Sequence, residues 1–293
     1  MQGFLRIDKP EGITSFKAVS AVKRRASEKR VGHTGTLDPL ASGVLPIFLG
    51  RATALAGILL EAEKQYTATV KLGITTDTAD ITGSVIDEKT VAVTKEELLC
   101  ALEKFKGEIL QTPPMYSALK KDGVRLYELA RRGEEVEIEP RRVIINELVL
   151  KNFQDDTFEI YVSCSKGTYI RSLCRDIGEA LGCGATMTAL RRNSTCGFFE
   201  ADCVSLSELT EENISDYLKS EEFAVMHLRA VSVSEKQAVR FSNGGQLSYE
   251  RLKTADFADG ELLRVKHGDK FLGIGVAEND KQQIAIKCVI NQM

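Results

Sequence analysis

The apolar residues of this chain recur with two different periods, one typical of helices and one typical of strands. Three segments have the helical spacing, with a capping residue before them or a glycine after them. Their apolar positions are Phe16, Val19, Val22 and Ala26 after a Thr14 or Ser15 cap, Leu98, Leu99, Leu102 and Phe105 after a Thr94–Glu97 capping box, and Ile170, Leu173, Ile177 and Leu181 before Gly182. Each segment therefore predicts an amphipathic helix.

Two other segments, 66–72 and 158–164, alternate apolar with polar residues. Strict alternation predicts strands that are buried on one face. Helical and strand patterns are interspersed along the chain without the regular rhythm of β-α-β units. We therefore predict an α+β fold built on a mixed or antiparallel sheet.

Two regions differ in pattern from the rest. Residues 111–142 are bracketed by prolines, are rich in charge and include a short helical pattern that stops at Gly133. From residue 229 the chain consists of short apolar runs separated by glycine turns, which predicts a small β-barrel. We expect a catalytic domain over 1–228 with an insertion at about 111–142, and a second domain over 229–293.

Composition excludes several classes of protein. No apolar run approaches the roughly 18 residues of a membrane-spanning helix, and no secretory signal precedes the first charged residues. The seven cysteines form no CxxC pair and no paired framework, which predicts reduced thiols in a cytoplasmic protein without a structural metal site.

The overall charge conceals a separation of acidic from basic residues. The chain has 39 Lys and Arg against 42 Asp and Glu, a net charge of -3, which taken alone argues against a nucleic-acid partner. Residues 1–60, however, carry nine bases and four acids, whereas 201–228 carry one base and seven acids. A basic surface on an acidic protein is therefore possible, and ordinary solvated surface charge is the alternative.

The strongest candidate for chemistry is the segment Gly32–Pro46. Its three glycines and two prolines are incompatible with a regular helix or a central strand, so it predicts a tight loop that exposes polar side chains. The segment lacks the Gly-Lys-Ser/Thr of a phosphate-binding loop and the Gly-x-Gly-x-x-Gly of a dinucleotide site. His33, Asp38 and Ser42 have the residue types of a hydrolase triad, but a triad is defined by geometry rather than by proximity in sequence.

Five motifs, in order over residues 3–198, resemble the TruB-type tRNA pseudouridine synthases, which isomerise uridine 55 in the T-loop of tRNA. They are Gly3–Pro10 with Gly12 and Thr14–Ser15, Gly32–Pro46, Tyr66 with Leu72–Gly73, Lys166–Leu173, and Leu190–Arg192 with Gly197–Phe198. The tail resembles a PUA RNA-binding domain through Asn243–Gly245 and Gly273–Gly275. The resemblance implies a pseudouridine synthase core with a thumb-like insertion and a PUA-like barrel.

The resemblance also implies catalytic roles. Asp38 matches the essential aspartate and would act as nucleophile, and Arg171 would pair with it and favour its ionised form. Tyr66 would stack on the target base and is a candidate for removing the C5 proton. Tyr169 and Leu190 would complete an apolar pocket for the uracil. The alternatives from the residues alone are a structural ion pair and an ordinary aromatic residue on the face of a sheet.

The remaining implications concern RNA. His33 would enter the T-loop and fill the space that flipped bases leave, and the insertion resembles a mobile thumb. We place RNA backbone contacts at the basic start of the chain, at the 111–142 insertion with Arg141 and Arg142, and at Arg191–Arg192. The reaction rearranges one nucleotide, so no cofactor or metal is expected, and the expected partner is tRNA, bound by a monomer with no obligate protein partner.

Two other functions stay open at this point. A dyskerin-type relative would share the catalytic core and PUA domain but would depend on a guide RNA and partner proteins. A non-catalytic RNA-binding protein or tRNA-folding chaperone would need no intact catalytic set. The presence of Asp38, Tyr66 and Arg171 argues against the second of these.

Overall fold

The computed structural model describes residues 1–134, 136–252 and 256–293, and it confirms the predicted α+β class. Up to residue 228 the helices and strands are β1 Gly3–Lys9, α1 Ser15–Arg25, β2 Val31–His33, β3 Ala41–Leu49, α2 Ala56–Leu59, β4 Lys64–Leu72, β5 Ile74–Thr76, β6 Val85–Glu88, α3 Lys95–Glu103, β7 Gly107–Gln111, β8 Lys120–Lys121, β9 Val124–Arg125, α4 Leu126–Arg131, β10 Arg141–Gln154, β11 Thr157–Cys164, α5 Ile170–Ala180, β12 Ala185–Thr195, β13 Phe198–Phe199, β14 Val204–Ser205 and α6 Ile214–Tyr217.

One large mixed sheet organises this part of the chain. Its strand order is β14-β1-β3-β12-β4-β11-β10-β7, with β2 paired to β3 and β13 paired to β12. Neighbours are antiparallel except for β1 with β14 and β3 with β12, which are parallel. The acidic stretch 201–228 therefore contributes an edge strand to the catalytic sheet, in addition to leading towards the tail.

The capping residues place the predicted helices correctly. Thr14 accepts a hydrogen bond from the Lys17 amide at the start of α1, and Thr94 and Glu97 form the reciprocal capping box of α3. The prediction that Phe16 lies on the buried face of α1 was wrong, because Phe16 is 76% exposed. Ser15 takes the buried position instead, because its hydroxyl bonds to the loop beneath the helix.

The prediction that 32–46 excludes a central strand was also wrong. Its second half is β3, which lies between β1 and β12 and is almost fully buried. Gly43 allows this, because a Cβ atom there would lie 2.2 Å from the carbonyl oxygen of Arg192 on β12. On one edge, β3 pairs with β12 through residues 41–43 and with β2 through residues 47–49. Pro46 lies between these two stretches, where no hydrogen bond to either strand requires a backbone N–H.

The tail forms a curled, half-barrel sheet, in keeping with the predicted β-rich unit. Its elements are β15 Arg229–Ser232, α7 Glu235–Ser242, β16 Leu247–Ser248, β17 Leu262–His267, β18 Lys270–Glu278 and β19 Gln283–Val289, with strand order β15-β17-β18-β19-β16. The helix α7 was not predicted. Asn243-Gly244, read from the sequence as a turn between strands, ends this helix, which starts at a capping box formed by Ser234 and Gln237.

An apolar cluster crosses the predicted domain boundary at 228. Its members come from the first strands of the catalytic sheet, the residues just before the boundary and the curled sheet: Phe4, Val44, Phe48, Phe198, Ala224, Val225, Phe271, Ile274 and Ile290. The Phe4 ring stacks on Phe48 at a centroid distance of 5.3 Å. Among the described residues, no helix has both the length and the apolar character needed to cross a bilayer.

We predict that Gly43→Ala lowers the free energy of unfolding by about 2–4 kcal/mol, because the added methyl group meets backbone on β12 and the residue has a positive φ of 105°. Gly182→Ala is the matched control, since Gly182 has a positive φ of 78° but open space around it, and should cost about 1 kcal/mol. Urea unfolding measures both. Equal losses would show that the contact with β12 carries no special cost.

Candidate active site

Asp38 lies in a short loop between β2 and β3 that is held on both sides by the N-terminal motif. The Ser15 hydroxyl accepts a hydrogen bond from the Leu37 amide at 2.8 Å and donates one to the Leu37 carbonyl at 3.0 Å. The Gly12 amide donates to the Pro39 carbonyl at 2.8 Å. The residues before and after Asp38 are thus fixed by the start of α1, which explains physically why the two motifs occur together.

The side chain of Lys9 stabilises the N-terminal motif beside the Asp38 loop. It is fully buried, and its ammonium donates to the carbonyl oxygens of Pro10 and Ile13, both at 2.8 Å. Burial lowers the pKa of Lys9 to about 8, although the negative charge of Asp38 opposes that change. This lysine therefore lies close enough to the loop to feel the charge of Asp38.

Arg171, in the first turn of α5, joins three segments that are distant in sequence. Its Nε lies 2.9 Å from Asp38 Oδ2, its Nη1 donates to the Thr78 carbonyl at 3.0 Å, and its Nη2 donates to the Tyr116 carbonyl at 2.9 Å. The Arg171 side chain is 5% exposed, whereas that of Asp38 is 40% exposed. The carboxylate thus faces outward while the guanidinium behind it is fixed.

Asp80 is a second carboxylate on the same guanidinium, and the sequence reasoning missed it. Its Oδ2 lies 3.5 Å from Arg171 Nη1, and its Oδ1 accepts from the Thr82 amide at 3.0 Å. The preceding residue, Ala79, has a φ of 60°, a conformation that L-residues other than Gly, Asn and Asp rarely adopt. The only signal was the tract of Thr, Asp and Gly over 75–83, which looks like an ordinary turn.

The three residues predicted to line the uracil pocket are Tyr66, Leu190 and Tyr169, and the charge of Asp38 acts on both tyrosines. Tyr66 on β4 is buried, and its pKa is raised by burial and also by the charge of Asp38. Ala68 follows Tyr66 on the same face of β4. Leu190 on β12 pairs with Ala68 and is 9% exposed. Tyr169 immediately precedes α5, and burial, with a smaller contribution from Asp38, raises its pKa too.

The base of the insertion is attached to Tyr169. Gln111 is almost fully buried, and its amide group accepts from the Tyr169 N–H at 2.8 Å and donates to the Tyr169 carbonyl at 3.1 Å. Ser172 donates to the Thr112 carbonyl at 2.8 Å. With the Arg171–Tyr116 contact, these bonds hold the start of the insertion against the first turn of α5.

His33 ends β2, immediately before the catalytic loop, and is half-buried. Burial lowers the pKa of His33, and the nearby positive charge of Arg192 lowers it further. The imidazole is therefore neutral over more of the physiological range than an exposed histidine. The structure places this residue at the base of the Asp38 loop.

The four arginines that the sequence assigned to RNA differ in position. Arg192 is fully buried, so the prediction that it contacts the RNA backbone was wrong. Arg141 and Arg142 begin β10 opposite the start of the insertion, both are exposed, and Arg142 pairs with Glu108 at 2.9 Å. Arg191 faces the side of the sheet opposite Tyr66 and pairs with Asp8 at 2.9 Å and with Glu200 at 2.7 Å. The structure thus does not bring Arg191 to Asp38, and its RNA contact stays a prediction.

Comparison with solved structures supports this arrangement at the level of the fold. A chain in the crystal structure of a Cbf5–Nop10–Gar1 complex superposes with a TM-score of 0.78 at 27% identity, covering 99% of this chain and 85% of that chain. A chain of the archaeal box H/ACA sRNP Nop10–Cbf5 complex gives a TM-score of 0.76 at 26% identity, covering 99% and 86% of the two chains.

Sequence comparison is more specific. The model of the N-terminal domain of TruB family pseudouridylate synthases matches residues 23–170, and that of the tRNA pseudouridylate synthase B C-terminal domain matches 171–231. A tRNA pseudouridine synthase B from Clostridium kluyveri is 46% identical over 94% of this chain and 96% of its own. One from Azoarcus sp. is 45% identical over 94% and 91%.

Fold and site together define an enzyme of the pseudouridine synthase class. The chain belongs to the TruB family of pseudouridylate synthases. The resemblance seen in the sequence motifs is thereby confirmed.

The lowered pKa of His33 predicts a pH dependence of stability. Below the unfolded-state pKa of about 6.5, the unfolded chain takes up a proton that the folded protein resists, so the free energy of unfolding declines as the pH falls. We expect His33→Gln to make this decline shallower between about pH 7 and pH 5. Denaturant unfolding at several pH values measures it, with the exposed His227→Gln as control. Identical slopes for wild type and His33→Gln would contradict the assignment.

Proposed function

We propose that the protein isomerises uridine 55 in the T-loop of tRNA to pseudouridine, with Asp38 as the nucleophile. The observation that carries the proposal is the ion pair at the Asp38 loop, in which an outward-facing carboxylate is held by a buried, fully engaged arginine. A pair built only for stability gains little from leaving one partner open to solvent. The names of the 46% and 45% identical relatives support tRNA as the substrate.

The residues account for a reaction without a group donor. A flipped-out uridine enters the pocket at a cost of a few kcal/mol for unstacking. Asp38 attacks either ribose C1′ or uracil C6, the N-glycosidic bond breaks, and the uracil rotates. C5 then joins C1′, and the bond from Asp38 to C1′ or C6 breaks, which restores the free carboxylate. Arg171 fixes the direction of the carboxylate and balances its charge until the attack, when the negative charge passes to the uracil. Tyr66, which is buried on β4, would stack on the base and accept the C5 proton at the end.

Recognition of the RNA follows from the shape of the T-loop. Folded RNA is read through its phosphates, its shape and its unstacked bases rather than through a groove code. Arg141, Arg142 and the lysines and arginines of 1–60 would supply positive charge for the RNA phosphates, and the insertion that starts at Gln111 would close over the RNA. His33 would occupy the space that the flipped bases leave.

We predict that Asp38→Asn lowers activity by at least about a thousandfold, because an amide is not a competent nucleophile. The assay incubates the purified protein alone with a tRNA transcript carrying tritium at uridine C5 and measures tritium release. Asp87→Asn, which removes an exposed carboxylate on β6, is the matched control and should be fully active. A transcript with cytidine at position 55 tests the site of modification.

Each outcome of this assay separates the candidate functions. Release by the protein alone that depends on Asp38 and on uridine 55 supports the proposal and a protein that needs no partner. Release only after addition of a guide RNA and partner proteins would favour the guide-dependent class. Tight tRNA binding without release under either condition would favour an RNA-folding chaperone.

We predict that Arg141→Glu with Arg142→Glu weakens tRNA binding and lowers the slope of log affinity against log salt by about 1.5–2, the contribution of two phosphate contacts. Filter binding over a range of salt concentrations measures both quantities. Glu108→Gln is the control, because it releases Arg142 from its ion pair and should leave binding equal or stronger. An unchanged affinity and slope in the double variant would place the backbone contacts elsewhere.

A further inference from the structure

Arg192 is a buried cation at the back of the active site that the reaction as described does not use. It lies on β12 directly opposite Tyr66 of β4, so their side chains project from the same face of the sheet. Residues opposite each other in antiparallel strands have Cβ atoms about 4.5–5.5 Å apart. The Arg192 side chain is fully buried and is the largest such side chain among the described residues.

The hydrogen bonds of Arg192 fix it in place without neutralising it. Its Nε donates to the Val44 carbonyl at 2.8 Å and its Nη2 donates to the Gly35 carbonyl at 3.1 Å. These carbonyls flank the Asp38 loop on either side. In the part of the chain that the structure describes, no carboxylate pairs with Arg192, whereas its neighbour Arg191 pairs with two.

A buried cation without a counter-ion is costly to a folded protein. Carbonyl dipoles compensate only part of the hydration that the guanidinium loses, and a buried charge is normally paired. A neutral hydrogen-bond donor could hold the Asp38 loop against the sheet at a lower cost in folding free energy. The net positive charge itself therefore calls for an explanation at this site.

The ionisable groups around Arg192 respond to its charge. Its positive charge acts against the rise in the pKa of Tyr66 that burial causes, while Asp38 from the loop and Cys164 from β11 add to that rise. The same charge contributes, after burial, to lowering the pKa of His33 and that of Lys64. Arg192 is thus the cation in this set that favours an anion at the Tyr66 oxygen.

We propose that Arg192 is the fixed counter-ion that stabilises the phenolate of Tyr66 while that oxygen takes the C5 proton of the rotated uracil. This inference rests on the proposed function. The hydroxyl proton of Tyr66 first leaves to solvent. The phenolate then accepts the proton from C5, the C5–H electron pair re-forms the C5=C6 double bond, and uracil N1 takes up a proton to give neutral pseudouridine. Arg192 transfers nothing and acts through Tyr66, so it is a positioning residue.

The variants that test this are expected to fold. Arg192→Gln removes the charge, keeps a donor for one of the two carbonyls and leaves no unpaired carboxylate behind, since none pairs with Arg192 among the described residues. Breaking a buried pair is costly because it leaves an uncompensated charge, and this substitution leaves none. Arg192→Lys is the matched variant that keeps the charge but loses the forked geometry.

The experiment measures single-turnover formation of pseudouridine with tRNA transcripts that carry hydrogen or deuterium at uridine C5. We expect Arg192→Gln to reduce the rate by about 10- to 100-fold with little change in tRNA affinity. The deuterated transcript should react more slowly than the protiated one in this variant, and by a larger ratio than in wild type. Arg192→Lys should recover part of the rate and bring the ratio back towards the wild-type value.

A double-variant cycle with Tyr66→Phe distinguishes stabilisation of the Tyr66 phenolate from a purely structural role, in which Arg192 only holds the Asp38 loop against the sheet. Without the phenol, loss of the Arg192 charge should cost nothing further. An equal cost of Arg192→Gln in both backgrounds, or a rate loss without an increase in the isotope ratio, would overturn the inference while leaving the proposed function intact. Absence of pseudouridine with wild-type protein would instead overturn the proposed function.

Discussion

The active site depends on the guanidinium of Arg171, which bonds to three parts of the chain that are otherwise separate. Its planar fork bonds to Asp38 in the loop before β3, to the turn that contains Thr78 and Asp80, and to the Tyr116 carbonyl in the insertion. A single-point cation such as lysine has no geometry that satisfies all of these acceptors at once. The position of Asp38, the turn with the positive φ at Ala79 and the start of the insertion are thus set by one side chain, which the first turn of α5 carries.

The features predicted correctly from the sequence are those determined by neighbouring residues. The caps of α1 and α3 and the alternation of β4 and β11 depend on local hydrogen bonds and on one buried face, so the pattern reports them directly. The proposed catalytic residues were identified through their resemblance to known motifs, and their roles stay predictions. In contrast, β3 depends on a close approach between Gly43 and a strand about 150 residues away, which no local rule for glycine and proline contains.

The residues that sequence reasoning missed are buried polar groups whose partners are distant in sequence. Asp80 looks like a turn residue until Arg171 is placed beside it, and Gln111 looks like a hinge residue until its amide meets the backbone of Tyr169. Net charge misled in the same way. A protein with a charge of -3 holds Lys9 and Arg192 fully buried next to the Asp38 loop, so the overall charge does not describe the charges around the site.

The apolar cluster that crosses residue 228 has a mechanical consequence. Phe4 and Phe48 of the catalytic sheet share one hydrophobic core with Phe271 and Ile290 of the tail, and strands of the same catalytic sheet carry the Asp38 loop. Close-packed interiors transmit displacement instead of absorbing it. A displacement of the curled sheet is therefore transmitted to the strands that hold the Asp38 loop, and removal of the tail would take away part of the core in which Phe4 and Phe48 are buried.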